Sequence, residues 1–321
     1  MFKLPLKLKE DIKDYTRKLK NHISGKINSD KFKGIRVPWG FYSHRGGEEY
    51  MSRVRVPAQV ISGSQLRAMA RCSKKYAAGT PHVTTRGDIQ IHGVDLEDSS
   101  EILEFLKENN LSSRGGGGNT VRNILCSPLA GVSPDEEFDV RKYPVGLTEK
   151  LLADKKSYTM PRKYKIAFSG SGKDSGLATV NDLGFIAKIK DGEEGFKVYV
   201  GGGMGSKSRT GDVLEEFVNP SEVPYIAQAV KRVFYKYGNR KNRNRARLRF
   251  LIRRIGLKDF KELYEKEIKK LKSKENIGLR DVKNKTVTSV GEEPVPRGDK
   301  EFQEFKKLPL RRFMWVISLE A

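Results

Sequence analysis

The residues best equipped for chemistry are cationic and stand beside glycine. In "PRKYKIAFSGSGKDSG", Pro161 to Gly176, the cations Arg162, Lys163 and Lys165 precede a short apolar run, Ile166-Ala167-Phe168. That run feeds a Ser/Gly loop carrying Lys173 and Asp174. A strand opening into such a loop brings backbone N–H groups and ammonium charge together, which suits an anion such as phosphate. A second concentration of charge, "KYGNRKNRNRARLRFLIRR", could neutralise nucleic-acid phosphates. It lacks the interleaved aromatics that stack bases, so a solvated helix face explains it as well. Cys72 and Cys126 are the only cysteines and have no CxxC spacing. They provide neither a disulfide framework nor a complete cysteine metal site, and each reads as a buried core thiol.

The loop fails the Walker A pattern, because Asp174 follows Gly172-Lys173 and Ala167 stands where the first glycine belongs. "SGSGKDS" also resembles the S-G-G-x-D-S loop of ATP pyrophosphatases with one extra residue, although that loop usually opens its domain and this one is central. A Gly/Ser-rich turn explains the segment equally well.

The elements that must position these charges read as two domains, which 321 residues can support. Sixty-three Lys plus Arg against 40 Asp plus Glu give a net charge of +23, a field that draws anions. The N-terminus has charges every few positions, with neither the apolar core of a signal peptide nor a membrane span, so a cytoplasmic protein is expected. Residues 1–45 read as a basic arm, with a solvated helix or loose segment over 1–35. From residue 46 to 111 the order is strand "SRVRV", helix "SQLRAMARCSKKYAAG", strands His82 to Thr85 and Ile89 to Val94, and a helix after Asp98. That order is most of a ferredoxin-like split βαβ unit. Leu66, Met69, Ala70 and Tyr76 are expected on the inner face of the first helix. "SSRGGGGNT" reads as a boundary that also binds.

Residues 112–275 then read as an α/β domain. "VRNILC", "YKIAFS", "GFIAKI" and "FKVYVGGG" are strand-like, and helices are predicted over Val223 to Tyr237 and Lys258 to Lys272. Residues 276–321 read as a linker followed by "RRFMWVISLEA", a strand with nothing after it to pair with, from which a missing continuation is expected. The fold class is therefore α+β, and the first sheet should keep an open edge.

Six motifs in order resemble the sulfite and nitrite reductase haemoprotein family over about residues 36–321. They are "VPWGFYSHRGGEEYMSRVRVPAQVISGSQL", "TTRGDIQIHGV", "NTVRNILC", "PRKYKIAFSG", "GFKVYVGGGMG" and "YGNRKNRNRARLRFLIRRIG". The resemblance implies a ferredoxin-like half domain before an α/β domain that binds siroheme, and a six-electron reduction of sulfite or nitrite. Siroheme carries eight carboxylates and the substrates are anions, so a cationic pocket is what this chemistry needs. By match, Arg53, Arg122, Lys163 and Lys165 would surround the open iron face as catalytic residues. There they would stabilise the oxyanion and relay protons. Arg86, Gln90, His92 and Arg162 would lie near the siroheme carboxylates and ring, and Gly201, Gly202 and Gly203 would let backbone pass close to the macrocycle. Gly87 departs from the glutamine that often follows "TTR" in the family, which leaves the local cofactor contact open.

The family also binds a four-iron four-sulfur cluster through four cysteines, and nothing like that motif occurs here. The resemblance therefore implies an N-terminal portion of a reductase, inactive alone. It would be completed by a second polypeptide or a longer chain and supplied by ferredoxin or a flavoprotein. A nucleotide-dependent enzyme and a basic RNA-binding protein are the alternatives, and no membrane partner is expected.

Overall fold

The computed structural model describes residues 2–280 apart from 45, 48 and 206. The strand expected in "RRFMWVISLEA" lies outside the described residues.

The chain begins with α1 (Leu6–Ile23) and α2 (Ser29–Arg36), then β1 (Phe41–Ser43), β2 (Tyr50–Val54), α3 (Gly63–Tyr76), β3 (His82–Val83), β4 (Ile89–Val94) and α4 (Ser99–Glu108). The strands form one antiparallel sheet in the order β1-β2-β4-β3. Ile89 and Ile91 of β4 are buried against the helices, while Gln90 and His92 stand on the opposite face, as the two-residue period of a strand requires; a register shift opposite Tyr50 and Met51 returns Val94 to the buried face. In α3, Ser62 and Gln65 form a reciprocal cap, and Gln65, Ala68, Met69, Cys72 and Ser73 are buried. Met69 is inward as expected, but Ala70 is exposed, because the buried stripe runs through Ala68 and Cys72 instead.

The basic arm is not a solvated helix or a loose segment. Ile12, Tyr15 and Leu19 of α1 are buried in the core of the first sheet, and Tyr15 donates to Ser99 Oγ of α4 at 2.8 Å. With Leu8, buried in the core of the second layer, they make four apolar residues at helical spacing that dock the helix, even though lysines cover its other faces.

The second layer contains α5 (Lys142–Ala153), β5 (Ile166–Ser169), β6 (Leu183–Lys190), β7 (Glu193–Val200), β8 (Asp212–Val218), α6 (Val223–Tyr237), α7 (Leu248–Ile255) and α8 (Leu257–Lys274). Its sheet runs β5-β6-β7-β8, with β5 and β6 parallel and the other pairs antiparallel. Phe168 and Phe185 stack at 4.6 Å between ring centres, and Phe196 meets both edge-on. Truncating such a buried ring costs about 3–5 kcal/mol. α6 matches its predicted span, with Ile226, Val230, Val233 and Phe234 buried. "VRNILC" is not a strand but makes two isolated parallel bridges beside β5, Val121 to Tyr164 and Leu125 to Ala167. The architecture is α+β.

Candidate functional site: a cationic cluster between the two sheets

Arg53 projects from β2 on the face that also carries Gln90, its cross-strand partner. With the Gln90 amide oxygen turned toward Arg53, it accepts from Nη2 at 2.6 Å and Nε at 3.1 Å. Arg53 Nη1 donates to the Gly116 carbonyl at 3.2 Å, and Arg122 Nη1 donates to the same oxygen at 3.0 Å. Arg122 Nη2 reaches the Gly118 carbonyl at 3.0 Å. The "RGGGG" stretch thus serves as a carbonyl cradle for two arginines. Side chains there would not fit: a Cβ on Gly116 would stand 2.6 Å from the Arg53 carbonyl, and one on Gly117 would strike the Val37 carbonyl and the Tyr42 hydroxyl.

The tight turn before β4 sends Arg86 toward the second sheet, where Nη1 donates to Asn181 Oδ1 at 2.9 Å and Nη2 to the Ile166 carbonyl at 3.1 Å. Gly87 has φ +67°, and the Gln59 side chain occupies the space a Cβ would need. A glutamine from another turn therefore packs over the position where the motif lacks one. His92 Nδ1 lies 3.3 Å from His44 Nε2, and its ring also meets His82 edge-on at 6.4 Å. Burial and then the charges of its neighbours hold His92 below the usual histidine range, so it is neutral at pH 7. Among the described residues no group of three or more His, Cys, Asp or Glu is arranged to hold a metal.

From the segment before β5, Arg162 donates to Asn119 Oδ1 at 3.4 Å. Lys163 and Lys165 have no carboxylate within ion-pair distance among the described residues. Burial, then the charges of Arg247, Arg122 and Arg162, push Lys163 down to about 8. Burial, then Arg86, Arg247 and Lys163, push Lys165 down to about 7. The Arg122 N–H donates to the carbonyl of Tyr164, between the two lysines, and Arg86 reaches the carbonyl of Ile166 beside Lys165, so Arg86, Arg122, Arg162, Lys163 and Lys165 are brought together although the sequence spreads them over 80 residues.

Sequence reasoning missed two residues of this cluster, Asp182 and Arg247. Asp182 is fully buried, accepts from Arg247 Nη2 at 2.8 Å and Nε at 3.2 Å, and takes the Lys165 backbone N–H at 2.9 Å. Arg247 comes from the basic run read as a solvated face. The available signal was the alternation of its arginines with Ala246 and Leu248, both buried. Beside it, Gly201 donates to the Asp182 carbonyl, and a Cβ on Gly202 would strike the Thr179 carbonyl. A Cβ on Gly203 would strike the Arg249 guanidinium. The chain's own packing thus demands glycine at 201, where φ is +79°, and at 202, while at 203 the obstacle is the movable end of the Arg249 side chain.

The Ser/Gly loop belongs elsewhere. Asp174 accepts from Ser169 Oγ, Thr179 Oγ1 and the backbone N–H groups of Ala178 and Thr179, which uses the carboxylate as an internal cap. Lys173 pairs with Asp135 on the surface. A loop bound to itself in this way has few donors left for a nucleotide phosphate. Arg245, Arg253 and Arg254, also from the basic run, line a separate open pocket of about 440 Å³ with Phe250 on its wall.

Residues 42–109 match the family described as the nitrite/sulfite reductase ferredoxin-like half domain, and residues 117–272 match the nitrite and sulphite reductase 4Fe-4S domain. The chain belongs to the nitrite and sulfite reductase family. Among its relatives, ferredoxin–nitrite reductase of Leptolyngbya laminosa is 30% identical over 271 residues, covering 82% of this chain and 52% of that protein. Sulfite reductase [ferredoxin] 2 of Mycolicibacterium paratuberculosis is 32% identical over 259 residues, covering 75% and 46%. The solved NirA protein of Mycobacterium tuberculosis superposes with a TM-score of 0.73 at 28% identity, covering 83% of this chain and 54% of that one. This reductase-family chain therefore spans about half the length of the relatives it matches. No described helix is long and apolar enough to cross a membrane.

Proposed function

We propose that the cationic cluster binds siroheme and faces an oxyanion substrate, sulfite or nitrite, as part of a six-electron reductase. The observation that carries this reading is the shortage of counter-ions. Lys163 and Lys165 are partly buried with lowered proton affinity and no paired carboxylate, and Arg86 Nε and Arg122 Nε are buried without a partner among the described residues. Desolvated charge of this kind costs stability unless an anion balances it. A polycarboxylate macrocycle has the right charge and enough acceptors. When bound, siroheme supplies an iron that passes electrons to the substrate.

The chain's own residues would divide the remaining work. Arg86 and Arg162 would bind ring carboxylates, while Gln90 and His92 would lie against the ring. Arg53, Arg122, Lys163 and Lys165 would hold the oxyanion. Lys165, titrating near neutrality, can give a proton to an oxygen that leaves as water and take another from solvent. A cluster held by four thiolates needs cysteines that these 321 residues lack, and Cys72 and Cys126 are both buried, with burial raising both thiols. We therefore infer that turnover requires cysteines from outside this sequence, on a second polypeptide or a longer chain, with ferredoxin or a flavoprotein as donor. The test is to add siroheme to the purified chain and titrate sulfite or nitrite. A visible spectrum that shifts with the anion supports the reading, and a colourless protein refutes it.

A further inference from the structure

Asp88 follows Gly87 in the turn before β4 and is only 5% exposed. The turn fixes it twice: the Asp88 N–H donates to Thr84 Oγ1 at 3.0 Å, and the Asp88 carbonyl accepts from the Thr84 N–H at 2.8 Å. Its Oδ1 is buried with no hydrogen-bond partner among the described residues. Four arginines surround it without forming an ion pair: Arg86 stands two residues away, Arg53 and Arg55 flank Val54, the cross-strand partner of Ile89 beside Asp88, and Arg122 adjoins Asn123, whose Nδ2 donates to the Arg86 carbonyl at 3.2 Å. Three of these four belong to the proposed anion site, and the fourth, Arg55, is 1% exposed and donates to the Val121 carbonyl at 2.5 Å. A carboxylate here shares its cations with any incoming anion.

We propose that Asp88 couples anion binding to proton uptake: charged while the arginines have no other anion, it accepts one proton from solvent at its carboxylate when a polycarboxylate docks on them. This rests on the reading of the cluster as a polycarboxylate site. Burial already pushes the Asp88 carboxyl above the usual range, against the downward pull of the four arginines. A docked anion competes for that pull and adds repulsion, so both effects favour the protonated acid.

The test titrates siroheme into the purified wild-type and Asp88→Asn chains between pH 5 and 8, reading visible absorption. The siroheme carboxylates, Lys163 and Lys165 titrate in both proteins, so the difference isolates Asp88. Wild-type affinity should fall more steeply with rising pH than that of Asp88→Asn, the excess approaching tenfold per pH unit (about one proton). Melting without ligand supplies a second reading. Because the folded-state acid binds its proton more tightly than the unfolded one, wild-type stability should fall relative to Asp88→Asn as pH rises through the folded value. Asp88→Ser replaces Asp88→Asn if the latter does not fold. Parallel pH slopes in the two proteins, or a melting difference that ignores pH, would overturn the role of Asp88 and leave the siroheme reading standing. Failure of both chains to take up siroheme would overturn the two together.

Discussion

Two buried lysine sites in this chain solve the same problem in opposite ways. Lys231 of α6 is 1% exposed and pairs with Asp154, with Ser157 Oγ at 3.1 Å as a further acceptor and Gln228 donating to the same carboxylate at 3.0 Å. Burial alone would raise the Asp154 carboxyl, but the Lys231 charge and these hydrogen bonds outweigh it and hold it at about 2. Burial lowers the proton affinity of Lys231 too, but the Asp154 charge and hydrogen bond pull it back, whereas Lys163 and Lys165 have no such partner among the described residues and neighbouring cations push them down further, to about 8 and about 7. A lysine whose counter-ion is supplied by the fold is architecture. One whose counter-ion is left out marks a place for a ligand.

The largest expected effect lies on the architectural side. Lys231→Met leaves Asp154 without its cation and should cost about 3–5 kcal/mol in urea unfolding, with siroheme affinity unchanged in the protein that folds. If stability survives, the pair is not the internal anchor described here. The next effect lies on the ligand side. Lys165→Met or Lys163→Met removes a charge-assisted contact of about 1.5–3 kcal/mol, so sulfite should bind roughly ten- to hundredfold more weakly to the siroheme-loaded chain. Siroheme content should hold and folding stability should not fall. A loss of folding instead of binding would erase the contrast.

Acidity and alkalinity should separate the two sites as well. The Asp154 carboxyl is lowered in the folded state, so its contribution is present above about pH 4 and is lost as pH falls through about 2. Lys165 is a base with a lowered folded value. The unfolded chain binds the extra proton between about pH 7 and the free-lysine value near 10.4, so stability should rise with pH across that window. Melting curves of Lys165→Met should lack that rise, and saturating siroheme should remove it from the wild type. The smallest effect belongs to Lys173, whose pair with Asp135 is exposed on both sides. Lys173→Ala should change stability by less than about 1 kcal/mol and leave anion binding intact. A marked loss of binding would return the Ser/Gly loop to the site.

The same contrast explains what was legible in the sequence. α6 could be read to its ends because an apolar stripe at helical spacing follows Pro224 and stops before Gly238. α5 could not, since Tyr143 to Thr148 are buried together and include Pro144 and Gly146, which leaves no polar face to set a period. β8, "DVLEEFV", is an edge strand whose charges hide its alternation. In the site, Arg53, Arg122, Lys163 and Lys165 were visible only through the motifs around them, because an isolated cation looks like surface. Asp182 was invisible because its partner Arg247 is 65 positions away and only folding joins them.

Siroheme uptake by the wild-type and Arg86→Gln chains, read as bound absorbance after gel filtration, tests the central claim most directly. Arg86 bridges the two sheets and faces the unbalanced charge, so the account predicts near-stoichiometric siroheme in the wild type and a clear loss per folded molecule in Arg86→Gln, measured below the melting temperature of both chains. A wild-type chain that elutes colourless, or an Arg86→Gln chain that retains as much siroheme as the wild type, would contradict it.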